Sequence, residues 1–85
     1  MVYICHARTD LNELIGSERW EDERLSFHYG PLALAMKAGE ELVLENSASL
    51  SVFMLRKISL ILGALYIDDT TEVIRPGAGF QLVLR

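Results

Sequence analysis

The chain has 85 residues, of which 51% are apolar and 24% charged, and a net charge of −4 at pH 7, so it is one domain at most. A domain this short buries only about 60–65% of its unfolded surface, so it needs a dense core or association, and the apolar content excludes a disordered chain. The acidic balance argues against nucleic acid as a partner, no apolar run is long enough to span a membrane, and nothing at the start reads as a secretion signal.

In chain order, Val2–His6 (VYICH) is β-branched and aromatic and predicts a strand. Thr9 or Asp10 then caps a short helix with Leu11, Leu14 and Ile15 on one side and Gly16 as its stop. Ser17–Arg24 (SERWEDER) has no apolar period and is expected to be an exposed loop, with Trp20 folding back onto the core rather than anchoring a partner. Leu25–Tyr29 (LSFHY) alternates like a strand. Gly30-Pro31 opens the helix LALAMKA, because proline suits the first helical position, and Gly39 closes it. Glu41–Glu45 (ELVLE) is a short apolar run suited to a strand buried on both faces.

Asn46, Ser47 or Ser49 is expected to cap the longest helix, roughly Ser49 to Leu62, with Leu50, Phe53, Met54, Ile58, Ile61 and Leu62 on one face. Arg56 and Lys57 fall on its wet side. Leu65–Asp68 and Glu72–Arg75 flank a polar turn and predict a hairpin. Asp68, Asp69 and Glu72 cluster at that turn, an acidic tip rather than a cation site. Pro76-Gly77-Ala78-Gly79 breaks the chain again, and Phe80–Leu84 (FQLVL) is a final strand. The single Cys5 cannot form an internal disulfide, which fits a cytoplasmic chain, and it reads as a small apolar residue of the core. No metal site is expected, because Cys5 and His6 point to opposite faces of one strand and, with His28, offer no paired ligand spacing.

The words LNELIG (Leu11–Gly16), GPLALAMKAG (Gly30–Gly39), Glu41–Asn46 and Gly63–Leu84 resemble the central part of the MoxR-type AAA+ ATPases, the NorQ, NirQ and CbbQ group in particular. The resemblance implies a small three-layer α/β fragment of a P-loop core, with about three core strands, a β-hairpin and two or three helices. It implies that Val2–His6, Glu41–Glu45 and Phe80–Leu84 are neighbouring parallel strands with Glu41–Glu45 in the middle. A rearranged fragment would instead carry the Leu65–Arg75 hairpin on the open edge of a mixed sheet.

The resemblance also puts Glu45 and Asn46 at the Walker B positions, where an Asp holds Mg²⁺ and a Glu polarises water. Glu45 adds a methylene and Asn46 cannot accept a proton. No GxxxxGK[ST] loop occurs in the 85 residues. The family's sensor residue, arginine finger and lid correspond to no part of this sequence. Hydrolysis is therefore not expected, no cofactor is expected, and Mg·ATP would bind weakly if at all. Read without the resemblance, Glu45-Asn46 is a strand end and a helix cap.

The edge Phe80, Gln81, Leu82, Val83 and Leu84 is expected to be apolar and unpaired, and to meet a second copy or a partner protein. The function expected is that of a non-hydrolysing interaction module or remnant. Two alternatives stand beside it: an ATP-binding part of a chaperone-like assembly completed by other subunits, and a small α+β protein that binds an apolar ligand or a peptide strand.

Overall fold

The computed structural model describes residues 1–67 and 70–85. Strands β1 (Val2–Ile4), β4 (Glu41–Glu45) and β7 (Gln81–Leu84) form a parallel sheet in the order β1-β4-β7, with β4 in the middle as expected. Parallel neighbours need crossover connections, and helical segments supply both. α1 (Leu11–Ile15) and α2 (Pro31–Ala38) lie between β1 and β4, and α3 (Val52–Ile61) lies between β4 and β7. The predicted hairpin, β5 (Leu65–Ile67) and β6 (Glu72–Ile74), pairs with itself and does not join the open edge of the parallel sheet. Of the acidic tip, Asp68 and Asp69 lie outside the described residues.

Alternation decides where the core sits. Leu42 and Leu44 turn one way and pack with Leu14, Leu32, Met36 and Ile58. Leu65, Ile67 and Ile74 of the hairpin join the same cluster. Each such side chain contributes about 1.5–3 kcal/mol by leaving water. Val43 turns the other way, in register with Val2 and Val83. On that side Val2 and Ile4 remain 59% and 67% exposed.

The helix caps of the first half follow the sequence. Asp10 accepts a hydrogen bond from the Glu13 N–H at 2.9 Å, and Gly16 ends α1. Gly39 ends α2 in the left-handed region at φ 67°, its N–H directed at the Ala35 and Met36 carbonyls. Gly30 is required by packing: a Cβ there would stand 2.3 Å from the Glu13 carbonyl oxygen, where the end of α1 meets the start of α2.

Several expectations fail for local reasons. The segment read as a loop is strand β2 (Gly16–Glu21), paired antiparallel with β3 (Arg24–Tyr29). Asp22 and Glu23 form its two-residue turn, both at positive φ (48° and 63°), the conformation that matches strand twist. Trp20, opposite Leu25 near that turn, lies beyond the core and is 75% exposed instead of folding back. β1 is shorter than predicted, ending at Ile4.

Helix α3 starts later than expected. Ser51, not Asn46, Ser47 or Ser49, is its cap, accepting from the Met54 N–H at 3.0 Å. Ser47–Ser49 form a separate 3₁₀ turn, and Leu50 is extended (ψ 139°) so that its side chain reaches the core. Spacing from Leu50 to Phe53 therefore carries no helical meaning. Phe53 is 66% exposed, with the Lys57 ammonium 4.3 Å from its ring centre, and Leu55 packs inward instead.

One polar cluster ties β3, α2 and β6 together. The Tyr29 hydroxyl donates to Glu72, and Lys37 Nζ lies 3.3 Å from the same carboxylate and 4.1 Å from the Tyr29 ring centre. The Tyr29 hydrogen bond first, and Lys37 second, hold the Glu72 carboxyl below its ordinary value. A carboxyl whose pKa is lower folded than unfolded stabilises the fold above the unfolded value, and that stability is lost as pH falls through the folded value.

Two measurements follow. Leu44→Ala should lower stability by about 2–5 kcal/mol, against a total of about 4–13 kcal/mol for a domain this size, read from the urea midpoint. Glu72→Gln should destabilise the chain at neutral pH and flatten the decline of the midpoint between about pH 6 and pH 3. An unchanged acid limb in the variant would remove Glu72 from the account.

Candidate functional site

In open α/β sheets, ligands sit beyond the carboxyl ends of the parallel strands. Here that end gathers Cys5 and His6 after β1, Glu45 and Asn46 at the end of β4, and Arg85 after β7. The strand ends are laced together. Cys5 N–H donates to the Glu45 carbonyl at 2.8 Å, and Arg85 N–H to the Leu44 carbonyl at 3.0 Å. Asn46 is left-handed (φ 56°, ψ 37°), a conformation Asn tolerates better than most residues, and its Nδ2 donates to the Cys5 carbonyl at 3.0 Å. Ser47 donates to the Arg85 carbonyl through both N–H (2.8 Å) and Oγ (2.9 Å).

Asn46 and Ser47 thus close the sheet end on the two sides of β4. Asn46 makes no side-chain cap bond, so it is a bridge from β4 to β1 and not a helix cap. Glu45 is half-buried and shares the Val43 side of the sheet, the side turned away from the core cluster. Among the described residues its carboxylate has no hydrogen-bond or ion-pair partner. The Asn46 amide nitrogen is held by the Cys5 carbonyl.

Cys5 is buried, and burial pushes its thiol up, so it behaves as core rather than as a nucleophile. His6 is exposed: its Nδ1 accepts from the Arg8 N–H at 3.0 Å, and its Nε2 is 3.5 Å from Glu13. Tyr3 donates to the same Glu13 carboxylate, and burial first, then Glu13, push its phenol above the ordinary value. Among the described residues no group of three His, Cys, Asp or Glu side chains is placed to hold a metal.

A polar hollow of about 240 Å³ lies between α1 and the β2–β3 hairpin, lined by Asp10, Glu13, Arg19 and His28 among others. Sequence reading missed it because it read SERWEDER as loop. The pairing Ser17↔His28 and Arg19↔Ser26 that assembles one wall exists only once β2 is a strand.

The third feature is the edge of β7. One side of β7 bonds to β4 and its other side has no strand neighbour among the described residues. Because Arg85 N–H points to β4, the two-residue period turns the backbone groups of Leu82 and Leu84 outward. Beside them lies a hollow of about 160 Å³ lined by Leu55, Ile58, Ser59, Leu62, Leu82 and Leu84. The structure therefore brings Leu82 and Leu84 of the predicted edge into one feature. It turns Gln81 and Val83 to the opposite face of the sheet, and Phe80 precedes the strand, partly packed on the core.

In comparisons with known proteins, no family model matches the chain. The chain is 34% identical over 82 residues to midasin of Giardia intestinalis, an AAA+ ATPase. The match takes in 91% of this chain and 2% of midasin, so the chain spans a very small part of that protein. The similarity supports a relation to AAA+ ATPases and nothing finer. Among the described residues no helix is long and apolar enough to cross a membrane.

The Asn46 bridge separates two effects that a pair of substitutions resolves. Asn46→Gly keeps the left-handed backbone easily and loses the bond to Cys5, at a cost of about 1 kcal/mol. Asn46→Ala loses the bond and also strains the backbone, so its urea midpoint should fall by roughly twice as much. Equal midpoints for the two variants would remove backbone conformation from the explanation.

Proposed function

We propose that the chain is a non-hydrolysing, MoxR-like AAA+ module whose work is association through the outer edge of β7. The observation that carries this reading is the pairing of β7 on one side alone among the described residues, with the backbone groups of Leu82 and Leu84 turned outward beside an apolar hollow. An unpaired strand edge offers main-chain donors and acceptors in a row, and the hollow gives an added strand somewhere to put side chains. The occupant is a second copy or a partner protein.

The chemistry at the strand ends supports association over turnover. Asn46 has no basic atom to accept a proton, and its Nδ2 already serves β1. Glu45 retains a carboxylate, with no hydrogen-bond or ion-pair partner among the described residues.

Amide exchange tests this reading directly. In dilute chain the N–H groups of Leu82 and Leu84 should exchange at least about tenfold faster than those of Val83 and Arg85, which bond to β4. The difference should shrink when an edge partner binds. Titration with millimolar Mg·ATP should leave the amide resonances of Glu41–Asn46 and Gly30 in place. Shifts clustered there would overturn the non-nucleotide reading, and uniform protection along β7 in dilute chain would overturn the open edge.

A further inference from the structure

Two exposed apolar patches, both apart from the β7 edge, carry opposite charge. The first lies on the β2–β3 hairpin. Strand alternation and the pairs Glu18↔Phe27 and Trp20↔Leu25 put these four residues on one face. Phe27 packs on the core, while Trp20 and Leu25 continue the same face outward and stay exposed. Glu18 stands on that face, and the turn residues Asp22 and Glu23 lie at its tip. The hairpin's two arginines, Arg19 and Arg24, fall on the opposite face with Glu21 and His28, where Glu21 Oε1 lies 2.8 Å from His28 Nε2. The apolar face is therefore acidic and carries no cation of the hairpin's own.

The second patch is the outer arc of α3. At 3.6 residues per turn, Val52, Arg56 and Leu60 stack along the helix, with Phe53 and Lys57 beside them. Leu55, Ile58 and Leu62 take the opposite arc and pack with the core. Val52, Phe53 and Leu60 are exposed, Leu60 to 82%. Arg56 and Lys57 are the only charged side chains between residues 46 and 67, a stretch with no Asp or Glu. Among the described residues neither cation forms an ion pair, and Lys57 lies over the Phe53 ring on this same arc.

From these two patches we infer that the chain associates head to tail with a second copy, the Trp20–Leu25 face of one hairpin lying along the Val52–Leu60 arc of the next α3. The patches agree in length: Glu18 to the turn spans about 13 Å of strand, and Val52 to Leu60 about 12 Å of helix. Trp20 and Leu25 meet Phe53 and Leu60, and Glu18 with the turn carboxylates meets Arg56 and Lys57. Each patch supplies the charge that the other lacks, which is why a second copy is the occupant. The inference uses neither β7 nor the strand ends, so it stands or falls apart from the association reading above.

Because the two surfaces differ, the contact is heterologous. A pair of chains still presents one free hairpin face and one free helix arc, so growth does not stop at two. A contact of this size covers less than the about 1,200 Å² of stable complexes, so it is weak, with half-association at about 0.1–1 mM chain.

Trp20 is the chain's single tryptophan and reports on the contact directly. The test follows the intact chain by sedimentation and by Trp20 emission from about 10 μM to about 2 mM, on both sides of that range. The mean mass should rise past that of two copies while the emission moves to the blue, and about 0.5 M salt should reverse most of both changes. Trp20→Ala empties the hairpin face, and F53A with L60A empties the helix arc. All three positions are exposed, so the fold is kept, and each variant alone should stay monomeric. Mixed in equal amounts, the two should form a one-to-one pair and nothing larger, with the only tryptophan present buried at the surviving contact.

A wild-type chain that stays monomeric to about 2 mM, its Trp20 emission unchanged, would overturn the inference. So would association that persists in both variants, and protection of the Leu82 and Leu84 amides would then assign it to the β7 edge. A mixture that fails to pair would overturn the head-to-tail arrangement, and one that grows beyond the pair would require a different surface.

Discussion

The structure depends on one strand. Among the described residues β4 is the only strand partner of β1 and of β7, so the parallel sheet exists only while Glu41–Glu45 holds its register. The three inner residues of β4, Leu42, Val43 and Leu44, are all buried. A shift of one residue would exchange Leu42 and Leu44 for Val43 and the two glutamates on the core side, and the core cluster would lose its floor. The bridges from Asn46 to Cys5 and from Ser47 to Arg85 fix that register at its last residue. They are short-range polar contacts whose effect extends over the whole sheet.

The same constraint explains the unevenness of the two faces. Every helix contributes to the cluster on the Leu42–Leu44 side, and the hairpin β5–β6 adds Leu65, Ile67 and Ile74 to it. On the other side Val43 is shielded by its strand neighbours Val2 and Val83 rather than by a helix of the cluster. A domain of this size reaches only about 4–13 kcal/mol of net stability. That places a premium on the close approach of α1 to α2, where Gly30 admits the end of α1, and on the Tyr29–Lys37–Glu72 cluster that fastens the hairpin to α2.

Much of this was legible in the sequence where local chemistry and period agreed. Gly30-Pro31 and Gly39 bracket α2 because each residue suits only its end of a helix. ELVLE is short, apolar and β-branched at its centre, and it is the central strand. The strand order came from resemblance to MoxR-type ATPases, since no pattern in three short strands specifies which lies in the middle. What failed did so where signals were weak or shared. Asp22 and Glu23 are not the Asn-Gly or Asp-Gly pair that announces a tight hairpin turn, and SERWEDER has no apolar face, so β2 left no trace in composition. Three serines and an asparagine precede α3, each a fit cap, and only the need of Leu50 to reach the core selects Ser51. Trp20 was misplaced for the same reason as β2: in a loop it could fold back, but on a strand its direction is fixed by the pleat.

The site residues divide along the same line. Glu45 and Asn46 carry side chains that a Walker B pair would need in altered form, and the sequence alone leaves their role open between ligand and structure. The left-handed backbone at Asn46 and its Nδ2 bond to the Cys5 carbonyl give it a structural role between β4 and β1. The edge of β7 is the reverse case. Leu82 and Leu84 look in sequence like any buried strand, and only the topology turns their backbone groups outward. Among the described residues β4 connects that edge to β1, so a partner that bound the folded edge and not the unfolded chain would stabilise both neighbours of β4 by mass action.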